Sequence, residues 1–292
     1  MKTVLSYCLF DPFNIHVHRT WDEHNLDKTR YWFNIPALYI TNKVLYPDYE
    51  MKIFINNSLT YNPLFKLLEK LDITIEEVDL KFTNTSEPMM WRLIPIWDGN
   101  YDCVFLRDID SIPNYQEYVS TTYFAKSKFA IQTLRSHENH YHEMGCDILG
   151  GLCGFKPSKI EHKPKSFKEY YESRMDMPWA QDQFMLSHTF IQQQSPLFLE
   201  TNFLDCPIDN QKRKAPFPHS VIPYSLFKNE EKDLIKRKVL SIVKESSLAD
   251  WAGQPCDARG AVLNKFLELD CDAARLVKET LDDKVLKDFY GV

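Results

Sequence analysis

The chain has 292 residues with a net charge of −6, and 44% of its residues are hydrophobic, which predicts a folded globular protein with a large core. The acidic balance argues against sequence-independent binding to nucleic acid, because such binding needs a cationic surface. The sequence carries neither the apolar core of a signal peptide nor a segment long enough to span a bilayer, so we expect a soluble cytoplasmic protein without a transmembrane segment. Seven scattered cysteines without C-x-x-C spacing favour a reducing compartment and no structural zinc.

The first half of the chain alternates short strands with helices. We predict strands at residues 2–8, 51–56, 73–79 and 103–106, and helices at residues 31–45, 62–71 and 89–97. Such alternation is typical of a mostly parallel sheet that is covered by helices on both faces. The predicted fold class is therefore α/β.

The second half of the chain carries further strands and a helical end. We predict strands at residues 129–134 and 148–155, and helices at residues 166–174 and 180–192. Over residues 229–244 and 261–289, apolar residues recur at helical spacing among many lysines and glutamates. We therefore divide the chain into a main domain at residues 1–224 and a helical C-terminal region at residues 225–292. Docking of this region on the main domain is favoured, with partner binding and peripheral membrane contact as alternatives.

Two carboxylates, Asp108 and Asp110, follow the predicted strand at residues 103–106. Side chains at positions i and i+2 of a strand leave the same face, so both carboxylates are predicted to point the same way, within reach of one metal ion, while Ile109 turns into the core. Carboxylate and phosphate oxygens are the ligands that Mg²⁺ and Mn²⁺ prefer. Because ligands of α/β sheets gather beyond the carboxyl ends of strands, we predict that this pair binds a divalent cation on a diphosphate.

The acidic pair belongs to an ordered series of motifs. The series consists of WRLIPIWD at residues 91–98, YDCVFLRDIDS at 101–111, LRSHENH at 134–140, ILGGLCG at 148–154 and WAQDQFML at 179–186. This series resembles the nucleotide-sugar glycosyltransferases of the GT-A fold that carry a D-x-D motif, of the group found in bacteria and large algal viruses. The resemblance covers roughly residues 3–190.

The resemblance implies a GT-A fold, which is Rossmann-like, with a mostly parallel mixed sheet flanked by helices. It also implies an enzyme that transfers a hexosyl or pentosyl group from a nucleoside diphosphate sugar to a hydroxyl group of a glycan acceptor. A UDP-sugar is the favoured donor and a GDP-sugar the alternative, with Mn²⁺ or Mg²⁺ as the cofactor. A viral member of this group would act in the host cytoplasm.

The resemblance implies roles for single residues at the donor site. The donor-binding candidates are Ser6, Tyr7, Tyr31, Arg92, Arg107, Asp108, Gly150 and Gly151. Of these, the first three are assigned to the base or the ribose, and the glycine pair is expected to let the backbone approach the sugar or the acceptor closely. The metal-binding candidates are Asp110, Asp108 and His219.

Further candidates concern the acceptor and the chemical step. Contacts with the donor or the acceptor are assigned to Arg135, His137 and His140. Asp182 is the catalytic candidate: if the enzyme inverts the configuration at the anomeric carbon, Asp182 is the base that deprotonates the acceptor hydroxyl. In a retaining enzyme the same residue would support the sugar, and the remaining alternative is that it caps the N-terminus of a helix. Ser136 and Cys153 depart from the pattern of the group, where an acidic residue and a bulkier aromatic residue are usual. The sequence therefore leaves the identity of the substrate open.

Two other functions are compatible with an acidic pair after a strand. The aspartyl-phosphate phosphatases use the first Asp of such a pair as a nucleophile, but there the motif closes the first strand of the fold. A non-catalytic glycan- or nucleotide-binding module would keep the GT-A fold without turnover. The presence of Asp108, Asp110 and Asp182 argues against such a module.

Overall fold

A computed structural model provides the structure of the chain. It describes residues 1–10, 30–56, 59–60, 62–79, 87–135, 140, 148–173, 181–190, 198–202, 219–221, 233–250 and 252–292, with the backbone alone at residues 30, 198–202 and 219–221. The predicted domain boundary at residue 224 lies outside these residues. Among the described residues, no helix is both long and apolar enough to cross a membrane.

A mixed sheet of eight strands forms the centre of the described structure. The strands are β1 (Thr3–Leu9), β2 (Tyr49–Ile55), β3 (Thr74–Glu77), β4 (Cys103–Arg107), β5 (Ile131–Leu134), β6 (Leu152–Phe155), β7 (Phe198–Asn202) and β8 (His219–Val221). Their order across the sheet is β3-β2-β1-β4-β6-β5-β7-β8. In this sheet β6 runs antiparallel to both of its neighbours, and the other pairings are parallel.

Helices cover both faces of the sheet. The α-helices are α1 (Ile35–Leu45), α2 (Phe65–Lys70), α3 (Tyr115–Lys126), α4 (Phe167–Glu172), α5 (Gln181–Phe190), α6 (Leu234–Glu245), α7 (Ala261–Leu267), α8 (Asp272–Thr280) and α9 (Lys284–Tyr290). Short 3₁₀ helices span Arg30–Trp32, Pro88–Ile96 and Pro157–Lys159. The predicted α/β class with a helical C-terminal region is confirmed.

Alternating side chains of β1 divide the core between the two faces. Leu5 and Leu9 join an apolar cluster that also contains Val239 of α6 and Leu286 of α9. Val4 points into a second cluster on the opposite face, as expected for a strand whose side chains alternate. The C-terminal helices therefore share a core with the sheet, which is the docked arrangement favoured from the sequence.

The antiparallel β6 brings loops from distant parts of the chain to one edge of the sheet. Arg107, the last residue of β4, pairs with Leu152, the first residue of β6. The residues after β4 and those before β6 therefore meet at the same edge. The carboxyl end of β1 lies there too, because β1 is parallel to β4 and Ser6 pairs with Leu106.

Most predicted elements agree with the structure, with a few differences. The segment predicted as a helix at residues 89–97 is a 3₁₀ helix, and Pro95 lies inside it, where proline cannot donate an α-helical hydrogen bond. Helix α3 was not predicted, although Asn114 caps it by accepting a hydrogen bond from the Glu117 amide, at the spacing of a capping box. Strands β7 and β8 were not predicted either.

Candidate active site

Arg92 forms the centre of a buried charge cluster at the carboxyl edge of the sheet. Its side chain is 3% exposed, and its guanidinium donates to Asp108 Oδ1 and, at 2.7 Å, to Asp182 Oδ2. Burial alone would lower the pKa of Arg92, but the two carboxylates raise it well above its ordinary value. The arginine therefore stays charged and ties the loop after β4 to the start of α5.

The backbone at Arg92 is itself fixed to the first strand. Ser6, in β1, donates a hydrogen bond from its hydroxyl to the Arg92 carbonyl at 2.7 Å. Nη1 of Arg92 also donates to the Arg107 carbonyl at 3.1 Å. The guanidinium is thus oriented from both neighbouring strands, which preorganises the carboxylates that it contacts.

Gly150 and Gly151 lie directly against these two carboxylates. A Cβ atom at Gly150 would overlap Asp182 Oδ2 and come within 2.9 Å of Arg92 Nη2. A Cβ atom at Gly151 would overlap Asp108 Oδ2 and lie 2.8 Å from Oδ1. Neither glycine has a positive φ, so the side-chain contact, and not the backbone conformation, requires glycine here. From the sequence these glycines are expected to face a sugar, whereas in the structure they pack on the carboxylates.

The two aspartates of the D-x-D motif lie in a turn. Strand β4 ends at Arg107, and both the amide and the hydroxyl of Ser111 donate to the Asp108 carbonyl, at 3.4 and 3.2 Å. The prediction that Asp108 and Asp110 extend from one face of a strand is therefore wrong. Ile109 is 4% exposed and belongs to the core, as predicted.

The surroundings of the buried residue Cys8 show which charged side chains lie close together. Burial raises the pKa of the Cys8 thiol to about 12, nearby Arg92 lowers it, and the charges of Asp108, Asp182 and Asp110 raise it. Cys8 is the next-to-last residue of β1. All four charged groups therefore lie around the carboxyl end of the first strand.

The acidic turn contains carboxylates but no complete set of metal ligands among the described residues. No group of three or more His, Cys, Asp or Glu residues close enough to hold a metal exists among the described residues. Mg²⁺-type sites commonly use one or two carboxylates and take the remaining ligands from phosphates and water. The Asp108 side chain is 39% exposed, and no described residue donates to its Oδ2 atom. The turn carries two carboxylates, Asp108 and Asp110, and their shared binding of a metal stays a prediction.

His219 lies in the edge strand β8, several strands away from β4. It pairs with β7, and four strand-to-strand steps separate β8 from β4 in the sheet. At about 4.8 Å per step, the backbone of His219 lies about 19 Å from that of β4 along the sheet. The predicted role of His219 as a metal ligand stays a prediction.

Arg107 makes several hydrogen bonds inside the fold. It is 4% exposed, and its guanidinium donates to Glu117 Oε1 at 2.5 Å and to Thr121 Oγ1 at 2.7 Å. It also donates to the carbonyls of Leu106 and Cys153. These bonds tie β4 to α3 and β6, and the predicted donor-binding role of Arg107 stays a prediction.

Ser6 and Tyr7 are likewise committed to the interior. Ser6 is fully buried, and its hydroxyl is used by the Arg92 carbonyl. Tyr7 is 1% exposed, and its hydroxyl accepts a hydrogen bond from Asn42 at 2.8 Å. Strand β1 directs both side chains into the core, and the predicted base or ribose contacts stay predictions.

Asp182 occupies an unexpected position for a catalytic base. It is the second residue of α5, and hence not its N-cap, and its side chain is 2% exposed with Oδ2 bound by Arg92. A catalytic base must reach the proton of the acceptor hydroxyl, and among the described residues Asp182 Oδ2 is occupied by Arg92. The catalytic assignment of Asp182 stays a prediction, and the contact that the structure shows is the one with Arg92.

Tyr31 lies in the wall of a pocket next to the charge cluster. The pocket has a volume of about 410 Å³ and is open on one side. Phe10 connects the two sites, with ring centroids 6.3 Å from Tyr31 and 6.4 Å from Trp91, the neighbour of Arg92. The pocket is lined by Leu9, Phe10, Tyr31, Trp32, Leu59, Asn62, Pro63, Leu64, Val285 and Phe289.

The segment after β5 approaches the same edge of the sheet. Arg135 is 5% exposed and donates to the carbonyl of His140, which is 8% exposed. His137 lies outside the described residues. The predicted donor or acceptor contacts of these three residues therefore stay predictions.

A contact that was not predicted from the sequence joins the C-terminal region to the acidic turn. The Cys256 amide donates to the Asp110 carbonyl at 2.9 Å, and Ser111 forms an isolated antiparallel bridge with Pro255. Asn34 holds the same segment from the other side. Nothing in the local pattern around residue 256 indicates this contact, because its partners lie far away in the chain.

Comparison with known proteins gives distant structural likenesses. No family model and no curated protein matches the sequence. The similar solved structures include S. aureus TarS 1-349, at 11% identity and a TM-score of 0.38, with 65% of this chain and 55% of that chain covered. They also include the complex of TarS 1-349 with UDP, at 8% identity and a TM-score of 0.39, with 99% and 72% covered. This chain thus spans little more than half of the first of them, and likenesses this low add no weight to a fold or a function.

Proposed function

We propose that the protein is a GT-A glycosyltransferase that moves a sugar from a nucleoside diphosphate sugar, with UDP favoured, to a hydroxyl group of a glycan. The observation that carries this proposal is the convergence of four separate motifs at one site. Arg92, Asp108, the pair Gly150–Gly151 and Asp182 come from segments up to 90 residues apart and are in mutual contact. An accidental sequence resemblance gives no reason for its motifs to meet.

The pocket beside Tyr31 is the proposed site for the nucleobase. Its volume of about 410 Å³ lies in the range of small-molecule sites, and it opens beside the carboxyl end of β1. Tyr31 and Phe10 offer aromatic faces on which a base can stack, while the amide of Asn62 is a polar group that can read the base edge. A base in this pocket would direct the diphosphate toward the acidic turn.

Asp110 and Asp108 are the proposed ligands of Mn²⁺ or Mg²⁺. When bound, the ion supplies positive charge that stabilises the departing diphosphate. The contribution of the chain is to hold the carboxylates in place beforehand. Arg92 binds Oδ1 of Asp108, which leaves Oδ2 available, and Gly151 provides the space that this arrangement needs.

Asp182 is proposed to position Arg92. Removing one partner from a buried ion pair leaves the other charge uncompensated, at a cost of about 3–5 kcal/mol. Because Asp182 and Arg92 are both almost fully buried, each stabilises the charged form of the other. The pair thereby maintains the geometry of Asp108 in the absence of substrate.

A donor turnover assay tests this proposal. Purified protein is incubated with UDP- and GDP-sugars, with Mn²⁺, with Mg²⁺ or with a chelator, and the released nucleoside diphosphate is measured. We expect release with one donor that requires the metal and falls by about 100-fold or more in Asp110→Asn. The matched control is Asp250→Asn, at an exposed aspartate, which should stay within about twofold of wild type. Nucleotide binding without release for any donor would contradict the proposal and favour a non-catalytic binding module.

A further inference from the structure

The C-terminal region provides a backbone support for the acidic turn. The Cys256 amide donates to the Asp110 carbonyl at 2.9 Å, and the antiparallel bridge between Ser111 and Pro255 extends this contact by one residue. On the other side of the turn, the side-chain Nδ2 of Asn114 donates to the Ala249 carbonyl at 3.3 Å. The residues that carry the carboxylates are therefore held by a segment that follows them by well over 100 residues.

A single side chain fixes this supporting segment. Asn34 donates from Nδ2 to the Cys256 carbonyl at 3.0 Å, and its Oδ1 accepts from the Ala258 amide at 3.0 Å. Asn34 and Ala258 are fully buried, so water cannot replace the bond between them, whereas the bond to the Cys256 carbonyl is partly buried. Among uncharged side chains, only an amide combines a carbonyl acceptor with an N–H donor in one planar group.

The position of Asn34 in the chain makes this use unusual. It is the N-cap residue of α1, where asparagine commonly bonds to the amides of its own helix. Its side chain makes no such cap bond. Both polar atoms are instead directed to residues 256 and 258, which lie 222 and 224 positions later.

We propose that Asn34 is a positioning residue which, through the segment 256–258, holds the Asp110 backbone in the geometry needed for binding the metal and the diphosphate. This inference rests on the proposed donor site. In this proposal the C-terminal region helps to set the geometry of that site. The chain of contacts runs from the Asn34 amide to Cys256 and from Cys256 to Asp110.

The test compares Asn34→Ala with Asn42→Ala. Asn42 is also a buried asparagine of α1, but among the described residues its amide donates to Tyr7 and Met51 and not to the C-terminal segment. Both variants lose buried hydrogen bonds, so both should be less stable than wild type. The readout is the Mn²⁺ concentration that half-saturates binding of a nucleoside diphosphate, measured well below the melting temperature of each variant.

We expect the half-saturating Mn²⁺ concentration to rise on the order of tenfold in Asn34→Ala, because an unsupported turn must be ordered when the ion binds. In Asn42→Ala it should stay within about twofold of wild type. Amide hydrogen exchange of a peptide that covers residues 108–112 should increase in Asn34→Ala and not in Asn42→Ala. If Asn34→Ala does not fold, Asn34→Asp replaces it, because aspartate keeps the acceptor for the Ala258 amide but lacks the N–H donor. The half-saturating Mn²⁺ concentration should rise in this variant too.

Two outcomes overturn the inference in distinguishable ways. Unchanged Mn²⁺ dependence and unchanged exchange in a folded Asn34 variant would refute the positioning role while leaving the donor site intact. Absence of any Mn²⁺-dependent nucleotide binding in wild type would refute the proposed function and the inference together.

Discussion

Replacing Gly151 by alanine tests whether the position of the Asp108 carboxylate controls activity. The new Cβ atom would overlap Oδ2 and lie 2.8 Å from Oδ1 of Asp108, so this side chain must move. The backbone at residue 151 has no positive φ and accepts alanine without strain. The structural consequence is therefore confined to the carboxylate and its bond with Arg92.

Gly151→Ala should reduce activity far more than it reduces stability. Loss of the Asp108 bond to Arg92 costs about 1 kcal/mol, which is less than for a buried charged hydrogen bond because Asp108 is 39% exposed. For a chain of this size, that shifts the melting temperature by about 2–4 °C. A carboxylate displaced by about 1 Å, in contrast, can reduce turnover about 100-fold.

The assay measures donor turnover and thermal unfolding side by side in Gly151→Ala and in Gly99→Ala. Gly99 has a φ of +68°, and a Cβ atom added there would have no described atom within 4 Å, so alanine strains the backbone by about 1 kcal/mol far from any contact. We expect similar losses of stability and a loss of turnover only at residue 151. Turnover within about twofold of wild type in folded Gly151→Ala would refute the reasoning.

Single contacts give three further predictions. Arg92→Lys should lose about 3 kcal/mol of unfolding free energy in denaturant titrations, because one ammonium group cannot bond to two carboxylates as the forked guanidinium does. A loss below about 1 kcal/mol would contradict the bridging role of Arg92. Tyr31→Ala should weaken nucleotide binding about tenfold in calorimetry, through lost stacking, and unchanged affinity would exclude the base pocket. The hydrogen bond from Lys66 lowers the pKa of Asp283 in the folded protein below its ordinary value. The ionised carboxylate therefore stabilises the fold at pH values above the pKa of Asp283 in the unfolded chain, and this stabilisation is lost as the pH falls through the folded-state pKa. Lys66→Met should raise the Asp283 midpoint in a carboxyl-carbon NMR titration, and an unchanged midpoint would contradict the pairing.

The main strands and the position of the acidic motif could be predicted from the sequence. Strand β4 is a continuous apolar run that ends in charged residues, and hydrophobic patterning of this kind is a local property. The sequence therefore indicated that Asp108 follows a buried strand at the edge where ligands bind. It did not indicate the turn that begins at Asp108, because the strand pattern gives no precise end.

The partners of the polar residues could not be predicted from local pattern. Arg92 and Arg107 both precede or follow apolar segments, and both were assigned to the donor. In the structure Arg107 is satisfied by Glu117 and by backbone carbonyls, whereas Arg92 bridges Asp108 and Asp182. Which arginine joins the site depends on tertiary contacts across as many as 90 residues, and these contacts leave no periodic pattern.

Thermal unfolding with nucleoside diphosphates, in the presence and absence of Mn²⁺, tests the central claim most directly. A ligand at 100 times its dissociation constant adds about 2.7 kcal/mol to the unfolding free energy, which raises the melting temperature by several degrees. We expect a rise for one nucleotide, with UDP favoured, that requires Mn²⁺ in wild type and is absent in Asp110→Asn. No rise with any nucleotide in folded wild-type protein would contradict the claim that Asp108 and Asp110 form the metal and diphosphate site of a glycosyltransferase.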